Sequence, residues 1–108
     1  VRHFDTGILN FTGLEDCQNV ISVDNNTDFD ISFGDYNISS DTTAPGTNSL
    51  INQVATDLFT DPANGDFTLK SGSNAIDAGT DLSSEMDAVD ITGETRPQGT
   101  AWDIGAFE

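Results

Sequence analysis

Apolar residues along this chain come in short groups divided by turn formers, and the spacing within each group predicts strands rather than helices. Thr6 to Thr12 (Thr-Gly-Ile-Leu-Asn-Phe-Thr) reads as one short strand, and Asn19 to Asp24 (Asn-Val-Ile-Ser-Val-Asp) as another. Residues 29–39 alternate. Phe29, Ile31 and Phe33 face one way while Asp30 and Ser32 face the other, the pattern of a strand with one buried face. Gly34 interrupts this with a bulge or bend before Tyr36 and Ile38 resume it.

Ser39 to Ser49 is nearly all turn formers around Pro45-Gly46 and predicts a loop. Leu50, Ile51, Val54, Ala55, Leu58 and Phe59 then recur near the helical period, which predicts one short helical turn. Asp61 to Asp66 is a tight connection in which Pro62 sets a corner and Asn64-Gly65 supplies positive-φ positions. After it the pattern predicts a strand at Phe67–Leu69, a turn at 71–73 and a short buried run over 75–79. A turn at 90–93, an extended corner at Arg96-Pro97 and a final strand over 102–107 complete the chain. Short strands with corners about every six to twelve residues arise in solenoids and in β-sandwiches alike, and no repeat of fixed length chooses between them.

Charge narrows the range of partners. Nineteen acidic residues stand against Arg2, Lys70 and Arg96, a net charge of -16, which excludes the electrostatics that hold a nucleic-acid backbone or an anionic membrane. Acidity and modest hydrophobicity together are also a mark of disorder. The clustered or alternating apolar residues (Ile8-Leu9, Val20-Ile21-Val23, Phe29-Ile31-Phe33, Phe67-Leu69-Ile76) argue for a folded chain instead. A length of 108 residues fits one domain. Cys17 is the sole cysteine, so neither an internal disulfide nor a cysteine metal site can form. No apolar run reaches the length of a membrane span and no signal segment opens the sequence. With Val1 rather than Met at its head, it reads as a processed product or a fragment.

Three ordered blocks break the tie between solenoid and sandwich. Phe59 to Gly79 (FTDPANGDFTLKSGSNAIDAG), Asp90 to Gly99 (DITGETRPQG) and Trp102 to Glu108 (WDIGAFE) together resemble the C-terminal segment of right-handed parallel β-helix proteins of bacteria and their phages. Tyr36 to Asp41 and Ala44 to Gly46 resemble the loop that often precedes it. The resemblance implies an all-β fold, a right-handed parallel β-helix of two to three coils with a C-terminal cap. Coils and a connecting loop would occupy residues 1–57, and the final coil and cap 58–108. It also implies an extracellular, cell-surface or virion-associated location, without fixing an activity.

The last coil of such a stack needs a cover for its unpaired backbone and apolar interior. Leu69, Ile76, Trp102, Ile104 and Phe107 are expected to supply it. Asp77, Asp90 and Asp103 each adjoin an isoleucine and a turn, and Arg96 is expected to pair with one or two of these carboxylates inside the cap. The coil at the Val1 end would need its own cover, from preceding coils, another copy of the chain or a larger assembly.

Catalytic chemistry finds little support. Acids are abundant, yet the Asn-Thr-Asp, Asp-Asp and Gly-His-Gly blocks of polygalacturonase-like β-helices are absent. A lyase would need a basic residue, and Arg2, Lys70, Arg96 and His3 offer no site for one. No catalytic or cofactor-binding residue is assigned. Asp24 to Asp30 and the trio Asp61, Asn64, Asp66 gather oxygens that Ca²⁺ could use, although neither has EF-hand spacing and both fit turns whose side chains bond their own backbone. Asn10, Asn25 and Asn37 head Asn-x-Ser/Thr sequons, and exposed aromatics such as Phe4, Phe11 or Tyr36 would be needed for glycan stacking. The expected function is a non-catalytic structural or interaction module, of capsid-decoration or fibre type. The alternative is the terminal part of a polysaccharide lyase or glycoside hydrolase whose active site lies upstream.

Overall fold

A computed structural model describes residues 1–9 and 16–108, and the expectations placed on Asn10, Phe11 and Thr12 lie outside the described residues. The N-terminal half makes short strands at β1 (Thr6–Leu9), β2 (Cys17–Gln18), β3 (Ile21–Ser22), β4 (Thr27–Asp30), β5 (Gly34–Asp35) and β6 (Ile38–Ser39). Left-handed residues sit at the corners: Asn19 (φ 57°) parts β2 from β3, Asp24 (φ 58°) parts β3 from β4, and Tyr36 (φ 56°) parts β5 from β6. Asn and Asp enter this region more readily than other non-glycine residues, so the sequence places two of its corners where it can make them at little cost.

Pairing in this half is parallel and keeps sequence order. β1 lies beside β4, β2 beside β5 and β3 beside β6, with Thr6 opposite Thr27, Cys17 opposite Gly34 and Ile21 opposite Ile38. Corner stacks on corner as well, since the Asn19 N–H donates to the Tyr36 carbonyl. The ladder through β3 and β6 runs further in both directions. Val1 donates to the Ile21 carbonyl and accepts the Val23 N–H on one side. On the other, Leu50 makes a parallel bridge to Ile38. Among the described residues the sheets remain two-stranded and close no barrel.

Successive strand residues face opposite ways, and β3 and β6 are covered on both faces. Ile21, Val23 and Ile38 join Ala55, Leu58, Phe59, Ala75 and Ile104 in the apolar core. Ser22 and Ser39, equally buried, turn to the other side, where their hydroxyls donate to the backbone carbonyls of Asp28 and Asp41. Gly7 is required there because a Cβ would collide with the Ser22 hydroxyl and the Asp28 carbonyl.

The C-terminal half begins with one helical turn, α1 (Ala55–Leu58), where the spacing of 50–59 predicted it. An antiparallel hairpin follows, β7 (Phe59–Asp61) against β8 (Asp66–Leu69), closed by a 3₁₀ turn over Pro62–Asn64 and Gly65 at φ 84°. This half lies alongside the parallel strands. The Arg2 guanidinium reaches the Pro62 carbonyl, Asn19 reaches Thr80, and Asn74 reaches Gln53. The expected all-β class holds, with helix confined to these short turns.

Several finer expectations are corrected. The break expected at Gly34 is present, but the alternation does not resume after it: Tyr36 at φ 56° turns the chain again, so 29–39 is divided among β4, β5 and β6, and Phe33 is left 50% exposed. Residues 75–79 form turns around Asp77 at φ 56°, which bury Ala75 and leave Ile76 39% exposed, so Ile76 gives no cover. Residues 102–107 form no strand: the chain bends over 104–106, with Gly105 at φ 116°, and Trp102, Asp103 and Ile104 are buried ahead of the bend.

Candidate interaction site

The five residues singled out in sequence as a cap, Asp77, Asp90, Arg96, Trp102 and Asp103, do come together, and they knit the end of the chain to itself. The N–H of Asp77 donates to Asp103 Oδ1 at 2.7 Å, and Asp77 Oδ1 in turn accepts the N–H groups of Thr100 (2.6 Å) and Ala101 (2.9 Å). These two amides, Ala101 foremost, hold the Asp77 carboxyl below its ordinary pKa. Gly99 is needed beside them, because a Cβ there would strike the Asp77 carboxylate.

Asp90 serves two segments. Its Oδ1 accepts the hydroxyl and N–H of Thr92 and the N–H of Glu94, and its Oδ2 accepts the Glu108 N–H at 3.0 Å. The Thr92 hydroxyl leads in drawing its pKa down to about 2, burial opposes it, and the amides of Glu108, Thr92 and Glu94 add to the fall. Asp103 moves the other way. Loss of water raises its pKa, the Asp77 amide lowers it, and the charges of Glu108 and Asp77 add to the rise.

Arg96 is buried among carbonyls and takes none of the three aspartates as its ion partner, contrary to expectation. Nε donates to the Val89 carbonyl, Nη1 to that of Asp103 and Nη2 to that of Gly105. Its carboxylate is Glu108, with Nη1 to Oε2 at 3.5 Å and both side chains nearly inaccessible to water. Its guanidinium also lies 5.2 Å from the Trp102 ring centroid. A planar fork satisfies several carbonyls at once, which explains why one arginine closes this turn and why the aspartates are free to accept backbone amides.

Asn19, Asp28, Asn37 and Glu108 carry structural weight that sequence reasoning missed. Asp28 is fully buried, and its carboxylate accepts the Asn25 N–H and Nδ2, the Ser40 N–H and hydroxyl, and the Asp41 N–H. Asn37 is fully buried too, donating to the Cys17 carbonyl and accepting the Val20 N–H, so its sequon cannot carry a glycan in the folded chain. The one available signal was position, and only for two of them: Asn19 lies at a corner and Asn37 next to one, where Asn bonds to backbone, whereas Asp28 lies within β4 and Glu108 is marked only by its tertiary contacts. In the second acidic trio, Asp61 bonds to Asn64 and Asp66 to Thr68. Among the described residues no buried side-chain nitrogen or oxygen lacks a partner.

The chemistry these groups offer is retention of backbone. Beside Val1 a cavity of about 610 Å³ opens between the parallel strands and the C-terminal half, walled by Val1, Ile21, Val23, Phe59, Phe67 and Phe107. Phe59 and Phe67 meet edge to face with centroids 5.3 Å apart. Arg2 stands at its rim, paired to Asp24 at 2.6 Å. No helix is long and apolar enough to cross a membrane among the described residues. Comparison of the chain with protein-family models, curated proteins and solved structures finds no match.

Proposed function

We propose that this chain is a non-catalytic structural or interaction module, the terminal portion of a right-handed parallel β-helix exposed outside the cell, on a cell surface or on a virion. The observation that carries the reading is the ordered parallel pairing of three consecutive strands with the next three, corner over corner. Chain that advances by stacking one pass on another is how a solenoid buries its backbone, and an end segment held against the stack suits a terminus. The disposition of the acids supports the non-catalytic part. The carboxylates of Asp28, Asp77, Asp90 and Asp103 accept amides and hydroxyls of the protein itself, which leaves none of them as a poised acid or base.

Neighbouring coils, other copies of the chain or a larger assembly would complete such a module, and a surface glycan would be its small ligand. Three measurements on the full chain decide among classes. Turnover of acidic polysaccharides that is lost on replacing an aspartate would make it an enzyme and refute the proposal. Glycan-array binding without turnover would make it a recognition module. A defined larger mass by light scattering, with neither of these, would make it a structural one.

A further inference from the structure

Asn64 is the only asparagine in the chain that precedes a glycine. Such a pair can react with itself, because the glycine nitrogen and the side-chain amide carbon can close a five-membered ring and glycine puts no Cβ in the path of closure. Here the surroundings leave room. Asn64 and Gly65 are both exposed, and even a Cβ built on Gly65 would meet nothing within 4 Å. The restraint on the pair is the turn that holds it. The Gly65 N–H donates to the Pro62 carbonyl at 3.3 Å, which closes the 3₁₀ turn over Pro62–Asn64 and keeps this nitrogen engaged. Asn64 Nδ2 donates to Asp61 Oδ2 at 2.8 Å, so the amide is tethered three residues back. Asp61 makes no capping bond to the turn, and Asp66 accepts from Thr68 instead, so the tether belongs to Asp61.

We propose that Asn64 is a site of spontaneous covalent modification, through a succinimide to aspartate and isoaspartate, and that Asp61 sets its rate by tethering the leaving amide. The Gly65 nitrogen bonds to Asn64 Cγ as the Cγ–Nδ2 bond breaks, and ammonia leaves with the proton that Gly65 gives up. Water, the one co-reactant, then opens the ring at either carbonyl. Opening at the side-chain carbonyl leaves aspartate, which sets a second carboxylate against Asp61. Opening at the main-chain carbonyl leaves isoaspartate, which lengthens the backbone inside a tight turn. Either product loosens the β7–β8 hairpin. Attack requires both hydrogen bonds to break, so the reaction passes through local opening of the turn, a small excursion in an exposed loop. The site is independent of the function proposed above.

The test incubates the full chain in mildly alkaline buffer at body temperature and maps the peptide carrying Asn64 by mass spectrometry. Water labelled with ¹⁸O is present only during incubation, so conversion during digestion does not count. Expected is labelled aspartate and isoaspartate at Asn64, formed at least about fivefold more slowly than in the urea-unfolded chain, as two hydrogen bonds to be broken imply. Asp61→Ala should speed conversion of the folded chain by about three- to tenfold. Asp61→Asn keeps an oxygen for Nδ2 and should stay within about twofold of wild type, and in urea all of these chains should react alike. Thr68→Val removes the bonds to Thr60 and Asp66 but spares the tether, so it should accelerate the reaction less than half as much as Asp61→Ala. Absence of label at Asn64 in the folded chain once the unfolded chain has fully converted would overturn the site. An unchanged rate in Asp61→Ala, or an acceleration that persists in urea, would overturn the role of Asp61. Equal acceleration by Thr68→Val would overturn that role too, because the protection would then belong to the hairpin as a whole.

Discussion

Asn19 grips Thr80 by both ends of its side-chain amide, donating from Nδ2 to the Thr80 carbonyl at 2.8 Å and accepting the Thr80 N–H on Oδ1 at 2.9 Å. Its own carbonyl accepts the Gly105 N–H, so one residue at a strand corner holds two separate parts of the C-terminal half. It also occupies the left-handed region at φ 57°. Asn19→Ala should therefore cost about 2–4 kcal/mol, from two lost bonds and a left-handed alanine. Asn19→Gly keeps the backbone and should cost less than Asn19→Ala; urea denaturation gives both values. Equal losses would show that the amide, not the left-handed backbone, is what matters at this corner.

Arg96 allows a second test. Removing it strands Glu108 in a nearly dry site and leaves the carbonyls of Val89, Asp103 and Gly105 without their donor. Glu108 still accepts N–H groups from Gln98 and Asp103, which limits the damage. Arg96→Ala should lower unfolding free energy by about 2–4 kcal/mol. Arg96→Lys should recover less than half, because an ammonium cannot span three carbonyls in one plane. Full recovery by lysine would mean that charge alone is at work.

How far these features could be read in the sequence follows from which physical signal each residue gives. Strand and turn positions were legible because alternation and turn formers are local, and α1 and the Asn64-Gly65 hairpin fell where they were expected. The gathering of Asp77, Asp90, Arg96, Trp102 and Asp103 was legible through ordered motif blocks. The ion partner of Arg96 was not, because Glu108 is distinguished only by tertiary contact. Phe33 and Ile76 misled for the same reason: hydrophobicity marks what could be buried, but positive φ at Gly34, Tyr36 and Asp77 decides which way the chain turns. Asn19 looked like the first residue of a strand, although Asn's ease in the left-handed region was a hint of a corner.

The two buried aspartates of the C-terminal end should respond to acid in opposite senses. Asp90 has a folded pKa of about 2 against 3.8 for an ordinary aspartate, so its contribution is complete above about pH 4 and disappears as pH falls through 2. Asp103 is raised, so its contribution is complete below the ordinary value and is lost as pH rises through the folded one. Asp90→Asn should lower the urea midpoint at pH 7, with the gap to wild type narrowing between about pH 4 and pH 2. Asp103→Asn keeps an oxygen for the Asp77 N–H and sheds the charge, so it should raise the midpoint at pH 7 and leave it unchanged near pH 3. The same sign for both variants at pH 7 would contradict this account.

Asp28 decides between ion and hydrogen bond as the use of the 24–30 acidic cluster. Five donors from Asn25, Ser40 and Asp41 converge on its carboxylate, which has no face to water. A calcium ion would have to displace some of them, and Asp24 is already held by Arg2. Asp28→Asn presents an NH₂ to a set of donors and should cost about 2–4 kcal/mol, since charge-assisted bonds are exchanged for facing N–H groups in a dry site. Calcium chloride at about 10 mM, above the range of weak extracellular sites, should leave the melting temperature of wild type unchanged. A rise in that temperature that Asp28→Asn abolishes would give the cluster to calcium instead.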